Sequence, residues 1–297
     1  MTTLEKSLKN LVPNQAKDAA KGAIRGYGSL TATWRPLPDF LVLGTKRGGS
    51  TSAWRYLIQH PQVMPMVTRW EHLKSPHYFY WHYDRGLDWY RGHFPSVAAR
   101  HAAQRRLGQR VITGESSPYY LFDPRVPARV ARDLPEARFI VLLRDPVKRA
   151  YSHYWERVDN QVEPLTFAQA LAAEPARVSG ELEKMATDPY YYSRRHDWYT
   201  YRERGIYAPQ LERWFEAVGR DRMMIMISED MYRSPQPAMD EMARFLGIEP
   251  TAIPAFERHN YRPAEPMDAD VQAELREFYR PHNDALATLL DRPLPWS

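Results

Sequence analysis

The residues with the clearest capacity for chemistry form a glycine-bearing turn, Gly44-Thr-Lys-Arg-Gly-Gly-Ser-Thr-Ser52, between two apolar segments. Phe40 to Leu43 is a short apolar run typical of a buried parallel strand, and Trp54, Leu57 and Ile58 recur at helical spacing. Glycine lets the backbone approach an anion without a side-chain clash, and the free N–H groups of a new helix favour negative charge. The sequence therefore predicts a phosphate cradle between a strand and a helix.

The position of the lysine separates this turn from the phosphate loop of nucleotide hydrolases. That loop reads G-x-x-x-x-G-K-[ST], with the lysine directly before the hydroxyl residue that holds magnesium. Here Ser50 occupies the lysine position, and the lysine stands earlier, at Lys46. A lysine early in the turn can neutralise charge on a departing phosphate without a metal ion. A plain tight connection is the alternative, so the interpretation needs a second motif.

The second motif follows Phe139 to Leu143, a fully apolar run that indicates a central parallel strand. Arg144 leaves its carboxyl end, Asp145 is suited to cap the next helix, and Pro146 suits the first helical turn. Ser152 lies two turns into that helix, on a side that can face Arg144. Arginine with a hydroxyl is the pairing expected for a phosphomonoester. The alternative is that Arg144 only pairs with Asp145.

Composition limits the class of protein. The chain has 297 residues, 43% of them hydrophobic, which is enough for one large α/β domain. It contains no cysteine, which excludes disulfides and zinc–thiolate sites and permits a reducing interior, so we expect a cytoplasmic protein. No apolar run reaches the ~18 residues of a membrane span, and the N-terminus lacks the apolar region of a signal peptide.

The charge is concentrated at the N-terminus. Residues 1–35 hold six Lys or Arg against two Asp or Glu, so the rest of the chain carries about one of the five net positive charges. This balance predicts local basic pockets and no nucleic-acid face. Residues 1–35 are expected to be a basic extension, either a solvated arm or a weak peripheral contact with an anionic membrane. Residues 36–297 alternate strands and helices, which predicts a single P-loop-like α/β domain whose central parallel sheet is flanked by helices.

Candidate acceptor-side residues lie in two further segments. If Lys74 to Phe79 is extended, Ser75, His77 and Phe79 share one face, which makes His77 a candidate to face the acceptor. A hydrogen-bonded structural histidine is the alternative. The loop 114–120 follows a predicted strand over 111–113, where open α/β sheets place their ligands. The histidines of 72–93 show no zinc spacing, so we expect no metal site.

Together these motifs resemble the sulfotransferases that use 3′-phosphoadenosine 5′-phosphosulfate, in the branch with the heparan sulfate sulfotransferase domains and their bacterial relatives. The resemblance covers about residues 38–297. It rests on the turn 44–52, the segment 143–154, Gly86-Leu-Asp-Trp-Tyr90, Gly205-Ile-Tyr207 and the closing Pro281-His-Asn283 with Pro295-Trp296.

The resemblance implies a metal-free, in-line transfer of a sulfuryl group to a hydroxyl or amine of a carbohydrate, glycolipid or phenolic small molecule. Lys46 would stabilise the bridging oxygen as it departs, and Lys74 would assist at the sulfuryl group. The implied donor-binding residues are Lys46, Arg47, Gly48, Gly49, Ser50, Thr51, Ser52, Arg144, Ser152, Tyr207 and Arg262. The expected acceptor-binding residues are His77, Tyr78, Ser117 and Tyr119.

The chain departs from the family at the catalytic base. The branch often reads Lys-Glu-x-His-x-Phe, whereas this sequence has Ser75 in place of the glutamate. Serine cannot act as that base unaided, so His77 is predicted to deprotonate the acceptor, with Glu71 as the reserve candidate. Two other classes remain open, a P-loop kinase or hydrolase that binds ATP and a non-catalytic nucleotide- or carbohydrate-binding module.

Overall fold

The computed structural model describes residues 26, 28–67, 74–257 and 265–296. Its centre is a five-stranded sheet in the order β2-β3-β1-β4-β5, in which every neighbouring pair is parallel. The strands are β1 Phe40–Val42, β2 Val63–Met64, β3 Ile112–Ser116, β4 Arg138–Leu143 and β5 Met223–Ile227. All carboxyl ends therefore meet at one edge of the sheet, as the parallel α/β prediction requires.

Helices connect the strands and cover both faces of the sheet. In chain order they are α1 Ser50–Leu57, α2 Gly86–Arg91, α3 Val97–Leu107, α4 Val126–Asp133, α5 Pro146–Asp159, α6 Phe167–Val178, α7 Glu181–Thr187, α8 Arg194–Tyr199, α9 Ala208–Val218, α10 Ser228–Arg233, α11 Pro235–Leu246 and α12 Ala269–Leu290. The predicted start of α5 is confirmed, because Asp145 Oδ1 accepts from Val147 N at 2.9 Å and Pro146 opens the first turn.

Two local predictions were wrong. Gly114 to Ser116 belong to β3, since they pair in register with β1. A Cβ on Gly114 would lie 2.6 Å from the Phe40 carbonyl oxygen, so glycine permits this pairing. The segment after Lys74 is also not extended, because His77 has φ +56° and a turn follows over 78–81. Its aromatic side chains turn into the core instead of alternating between two faces.

That core surrounds one acidic side chain. Glu115 on β3 is fully buried, and its Oε1 accepts from Tyr90 Oη at 2.7 Å and Tyr120 Oη at 3.1 Å. Burial raises the pKa of Glu115 to about 7, although the neighbouring Ser75, Tyr90 and Tyr120 hydroxyls lower it. The charged form is disfavoured because desolvation outweighs these hydrogen bonds.

Glu115 should make stability fall as the pH rises from about 4.5 to about 7. The folded state binds more protons than the unfolded state in this window, so the free energy of unfolding decreases by roughly 3 kcal/mol. We expect Glu115→Gln to be more stable than wild type at pH 8.5 and to lose this advantage at pH 5, as measured by urea unfolding. Glu136→Gln, at an exposed position, is the control. An equal Glu115→Gln effect at both pH values would contradict the prediction.

Candidate active site

The glycine turn lies at the carboxyl end of β1 and leads directly into α1. Gly48 has no room for a side chain, because a Cβ would lie 2.3 Å from Thr45 Cγ2 and 2.9 Å from the Thr45 carbonyl oxygen. Gly49 precedes α1 with φ +93°, a left-handed conformation that favours glycine. The Ser228 hydroxyl donates to the Gly48 carbonyl from the start of α10. The conformation of the turn is therefore fixed by its own glycines and by a hydrogen bond from Ser228, which directly follows β5.

Arg47 joins this turn to the second motif. Its Nε donates to Ser152 Oγ on α5 at 3.0 Å, and its carbonyl oxygen accepts from Arg144 Nη1 at 3.0 Å. Tyr207 Oη donates to the Arg144 carbonyl at 2.8 Å and so supports the residue that follows β4. Arg144 and Ser152 therefore both contact Arg47, which itself has φ +67°.

Lys46 lies close to two acidic side chains. Its Nζ is 3.8 Å from Glu156 Oε2 on α5 and 3.8 Å from Asp197 Oδ1 on α8. Burial lowers the pKa of Lys46, while the negative charges of Asp197 and Glu156 raise it and Arg204 and Arg157 lower it further. The two carboxylates therefore help to keep a buried ammonium group charged.

Lys74, in the connection between β2 and α2, also contacts the end of this turn. Its Nζ donates to Thr51 Oγ1 at 2.9 Å and to Ser50 Oγ at 3.4 Å, at the first residues of α1. Burial lowers the pKa of Lys74 to about 8, against the raising effect of the Glu156 charge. Two lysines from different segments therefore converge on one helix N-terminus, which is a favourable place for an anion.

His77 lies among aromatic rings close to these groups. Its ring centroid is 5.6 Å from that of Tyr80 and 6.4 Å from that of Trp81. Burial lowers the pKa of His77 to about 4, although the charge of Asp197 opposes the shift. The imidazole is therefore neutral near pH 7, and its Nδ1 is buried without a hydrogen-bond partner in the described part of the chain. A neutral imidazole can accept a proton.

Three further residues that the sequence predicted for the site, Ser52, Tyr78 and Ser117, are buried. Ser52 Oγ is buried and accepts from Tyr232 Oη at 3.0 Å. Tyr78 is buried in the aromatic core and stacks on Tyr90, with ring centroids 4.6 Å apart. Ser117 is fully buried, and its backbone N–H donates to Val42 O.

Tyr119 is also buried rather than exposed to solvent, and its Oη is 2.7 Å from His196 Nδ1. Glu71 and Arg262 lie outside the described residues. Their predicted roles therefore remain predictions from the sequence alone.

Sequence reasoning missed the two carboxylates at Lys46. Glu156 lies one turn beyond Ser152, just after the segment 143–154, and Asp197 lies in a polar-aromatic segment, 190–201. Neither spacing indicates a contact with Lys46, which depends on how α5 and α8 pack. The described part of the chain contains no cluster of three or more His, Asp or Glu residues that could hold a metal ion. It also contains no helix long and apolar enough to cross a membrane.

A family model and a solved structure that match this chain both belong to sulfotransferases. Residues 37–269 match the family model of the sulfotransferase domain. A crystal structure of a sulfotransferase from Alicyclobacillus acidocaldarius aligns over 87% of this chain and 98% of its own, at 28% identity and a TM-score of 0.64.

Curated relatives include a membrane-associated sulfotransferase, kil1, from Dictyostelium discoideum, 24% identical over 97% of this chain and 72% of its own length. The human bifunctional heparan sulfate N-deacetylase/N-sulfotransferase 3 is 27% identical over 91% of this chain and 32% of its own length. Human heparan sulfate glucosamine 3-O-sulfotransferase 3B1 is 26% identical over 84% of this chain and 62% of its own. The chain thus spans about a third of the bifunctional enzyme and less than two thirds of the 3-O-sulfotransferase.

Proposed function

The chain belongs to the sulfotransferase family, and from that premise we propose that it transfers a sulfuryl group from 3′-phosphoadenosine 5′-phosphosulfate to a hydroxyl or amine of a small-molecule or glycan acceptor. The observation that carries this proposal is the contact of the glycine turn with the second motif through Arg47. A nucleotide with separate 5′ and 3′ anions needs two neighbouring anion sites. The domain would extend over residues 36–297, since Leu275 and Tyr279 of α12 pack in one core with Val147 of α5.

The donor would lie across the carboxyl edge of the sheet. Lys46 and the backbone N–H groups of 47–51 would bind the 5′-phosphosulfate at the start of α1. Arg144 and Ser152 would bind the 3′-phosphate, with Arg47 between the two sites and Tyr207 supporting Arg144. Arg262 stays in this proposal from the sequence alone.

The reaction would be an in-line displacement at sulfur. The acceptor oxygen or nitrogen forms a bond to sulfur, the bond from sulfur to the bridging oxygen breaks, and adenosine 3′,5′-bisphosphate leaves. Lys46 would neutralise the bridging oxygen as it gains charge, and Lys74 would neutralise the sulfuryl oxygens. These charges are supplied by side chains, so the proposed transfer needs no metal ion.

His77 would take the proton from the acceptor. It carries the only imidazole of the row 74–79 and is neutral near pH 7. Because its pKa is about 4, it needs a neighbouring negative charge to hold the proton that it accepts. Tyr78, Ser117 and Tyr119 are buried and would shape the acceptor side through packing. The relatives named for heparan sulfate favour a carbohydrate among the proposed acceptors, with glycolipids and phenols as the alternatives.

Donor binding can be tested without knowing the acceptor. Adenosine 3′,5′-bisphosphate at 100 times its Kd should stabilise the protein by about 2.7 kcal/mol, whereas ATP with magnesium should not. Arg144→Gln should remove most of this stabilisation, and Arg233→Gln, at an exposed position, should retain it. Thermal-shift titration measures both effects. Stabilisation by ATP with magnesium alone would favour a kinase or hydrolase, and no stabilisation by the bisphosphate would overturn the proposal.

His77→Gln should lower kcat by about 100-fold because it removes the proton acceptor. Stabilisation by adenosine 3′,5′-bisphosphate should be unchanged. The assay is transfer of radiolabelled sulfuryl groups to a panel of de-N-sulfated heparan oligosaccharides, glycolipids and phenols. His101→Gln, at an exposed position on α3, is the control. Near-normal kcat in His77→Gln would remove this assignment, and wild-type donor binding without transfer to any acceptor would indicate a non-catalytic module.

For localisation we propose a cytoplasmic protein with weak peripheral membrane contact through residues 1–35. The support is the excess of basic residues in this segment and two exposed apolar side chains at its end, Leu30 at 85% and Trp34 at 69% exposure. Basic residues attract anionic lipid, and tryptophan favours the membrane interface.

Binding to vesicles tests this contact. The protein should cosediment with phosphatidylserine-containing vesicles at low salt and much less with pure phosphatidylcholine vesicles. A double change, Leu30→Ala with Trp34→Ala, should reduce binding several-fold, whereas Leu182→Ala, at 46% exposure on α7, should not. Equal recovery in the supernatant with both kinds of vesicle would show that residues 1–35 make no such contact.

A further inference from the structure

Asp197 is a buried acidic residue to which the proposed reaction gives no role. It lies on α8, accepts from Tyr192 Oη at 2.7 Å and from Arg204 Nη2 at 3.2 Å, and faces Lys46 Nζ at 3.8 Å. Burial would raise the pKa of Asp197, but the charges of Lys46 and Arg204 and these hydrogen bonds hold it at about 2. Asp197 is therefore ionised near neutral pH.

The helix that carries Asp197 is held firmly. Ser193 Oγ caps α8 by accepting from His196 N at 2.9 Å, and the His196 ring stacks on Phe122 with centroids 4.4 Å apart. Arg204 is fully buried and also donates to the Asp197 carbonyl oxygen at 2.8 Å. Because backbone and side chain of Asp197 are both bound, its carboxylate has a fixed position.

The same carboxylate acts on the acceptor side. Tyr192, which donates to it, packs on Tyr80 and Trp81 with ring centroids 5.4 Å and 4.9 Å away. These are the two rings that contact His77. The charge of Asp197 favours the protonated form of His77, while Lys74 and His82 oppose it. Asp197 thus acts on both Lys46, which would stabilise the leaving group, and His77, which would deprotonate the acceptor.

We propose that Asp197 is a positioning residue for sulfuryl transfer, which holds Lys46 in place and stabilises the imidazolium that forms at His77. The inference rests on the proposed function. As the acceptor oxygen bonds to sulfur, its proton moves to His77 and the bridging oxygen departs toward Lys46. A fixed negative charge that acts on His77 lowers the energy of the positive charge that appears there. Asp197 itself neither bonds to the substrate nor takes the proton.

Glu156 provides the matched control. It lies at the same 3.8 Å from Lys46 Nζ, and its other oxygen pairs with Arg157 at 3.1 Å. The charges that act on His77 are those of Asp197, Lys74 and His82. The charges that act on Lys46 are those of Asp197, Glu156, Arg204 and Arg157. Asp197→Asn and Glu156→Gln therefore both weaken the environment of Lys46, but only Asp197→Asn removes a charge that acts on His77.

The first test uses NMR titration of the full-length protein with labelled histidine, in which His77 is assigned by its absence in His77→Gln. We expect the titration midpoint of His77 to fall by about half a pH unit or more in Asp197→Asn and to stay unchanged in Glu156→Gln and Asp197→Glu. An unchanged midpoint in Asp197→Asn, or an equal shift in Glu156→Gln, would overturn the proposal. This readout requires no acceptor and does not depend on whether the proposed function is correct.

The second test is a double-mutant cycle on kcat. Asp197→Asn should lower kcat by about 10-fold or more, with bisphosphate stabilisation retained and partial rescue by Asp197→Glu. In a His77→Gln background, Asp197→Asn should cost no more than Glu156→Gln does. A full, additive loss in that background would show that Asp197 does not act through His77. A wild-type protein that binds the bisphosphate but transfers no sulfuryl group would instead count against the proposed function.

Discussion

The site depends on one contact, in which Arg47 joins the turn after β1 to the residues after β4. Its guanidinium binds Ser152 on α5, and its carbonyl oxygen binds the guanidinium of Arg144. Neighbouring parallel strands bring both segments to the same edge of the sheet, and this contact then sets their separation. Two anion-binding motifs that lie about 100 residues apart in the chain become adjacent for this reason. The proposed use of a donor with two anions follows from their proximity.

Burial of charge is the second constraint. Lys46 and Lys74 are both buried enough to lower their pKa values, which disfavours the charged state that binding a phosphosulfate requires. The negative charges of Glu156 and Asp197 raise the pKa of Lys46 and so oppose the effect of burial. The contacts of Arg204 hold Asp197 in place. The carboxylates on α5 and α8 therefore help a buried cradle to stay positively charged. Sulfuryl transfer in such a site can rely on fixed charges, since buried charges act more strongly than charges exposed to water.

The sequence predicted those parts of the structure that local patterns determine. Apolar runs indicated β1 and β4, and Asp145 with Pro146 placed the start of α5, because capping depends on adjacent residues. The extended segment at His77 was wrong, since burial of the following aromatic rings overrode local preference. The contact of Asp197 with Lys46 could not be predicted, because it joins residues about 150 positions apart through the packing of two helices. Long-range charge pairs leave no periodic signal in a single sequence.

The most direct measurement of the central claim is a crystal structure with adenosine 3′,5′-bisphosphate. We expect the 5′-phosphate to bind Lys46 and the backbone N–H groups at the start of α1, and the 3′-phosphate of the same nucleotide to bind Arg144 and Ser152. A nucleotide that contacts only one of the two motifs, or that places both phosphates away from Arg47, would contradict this expectation.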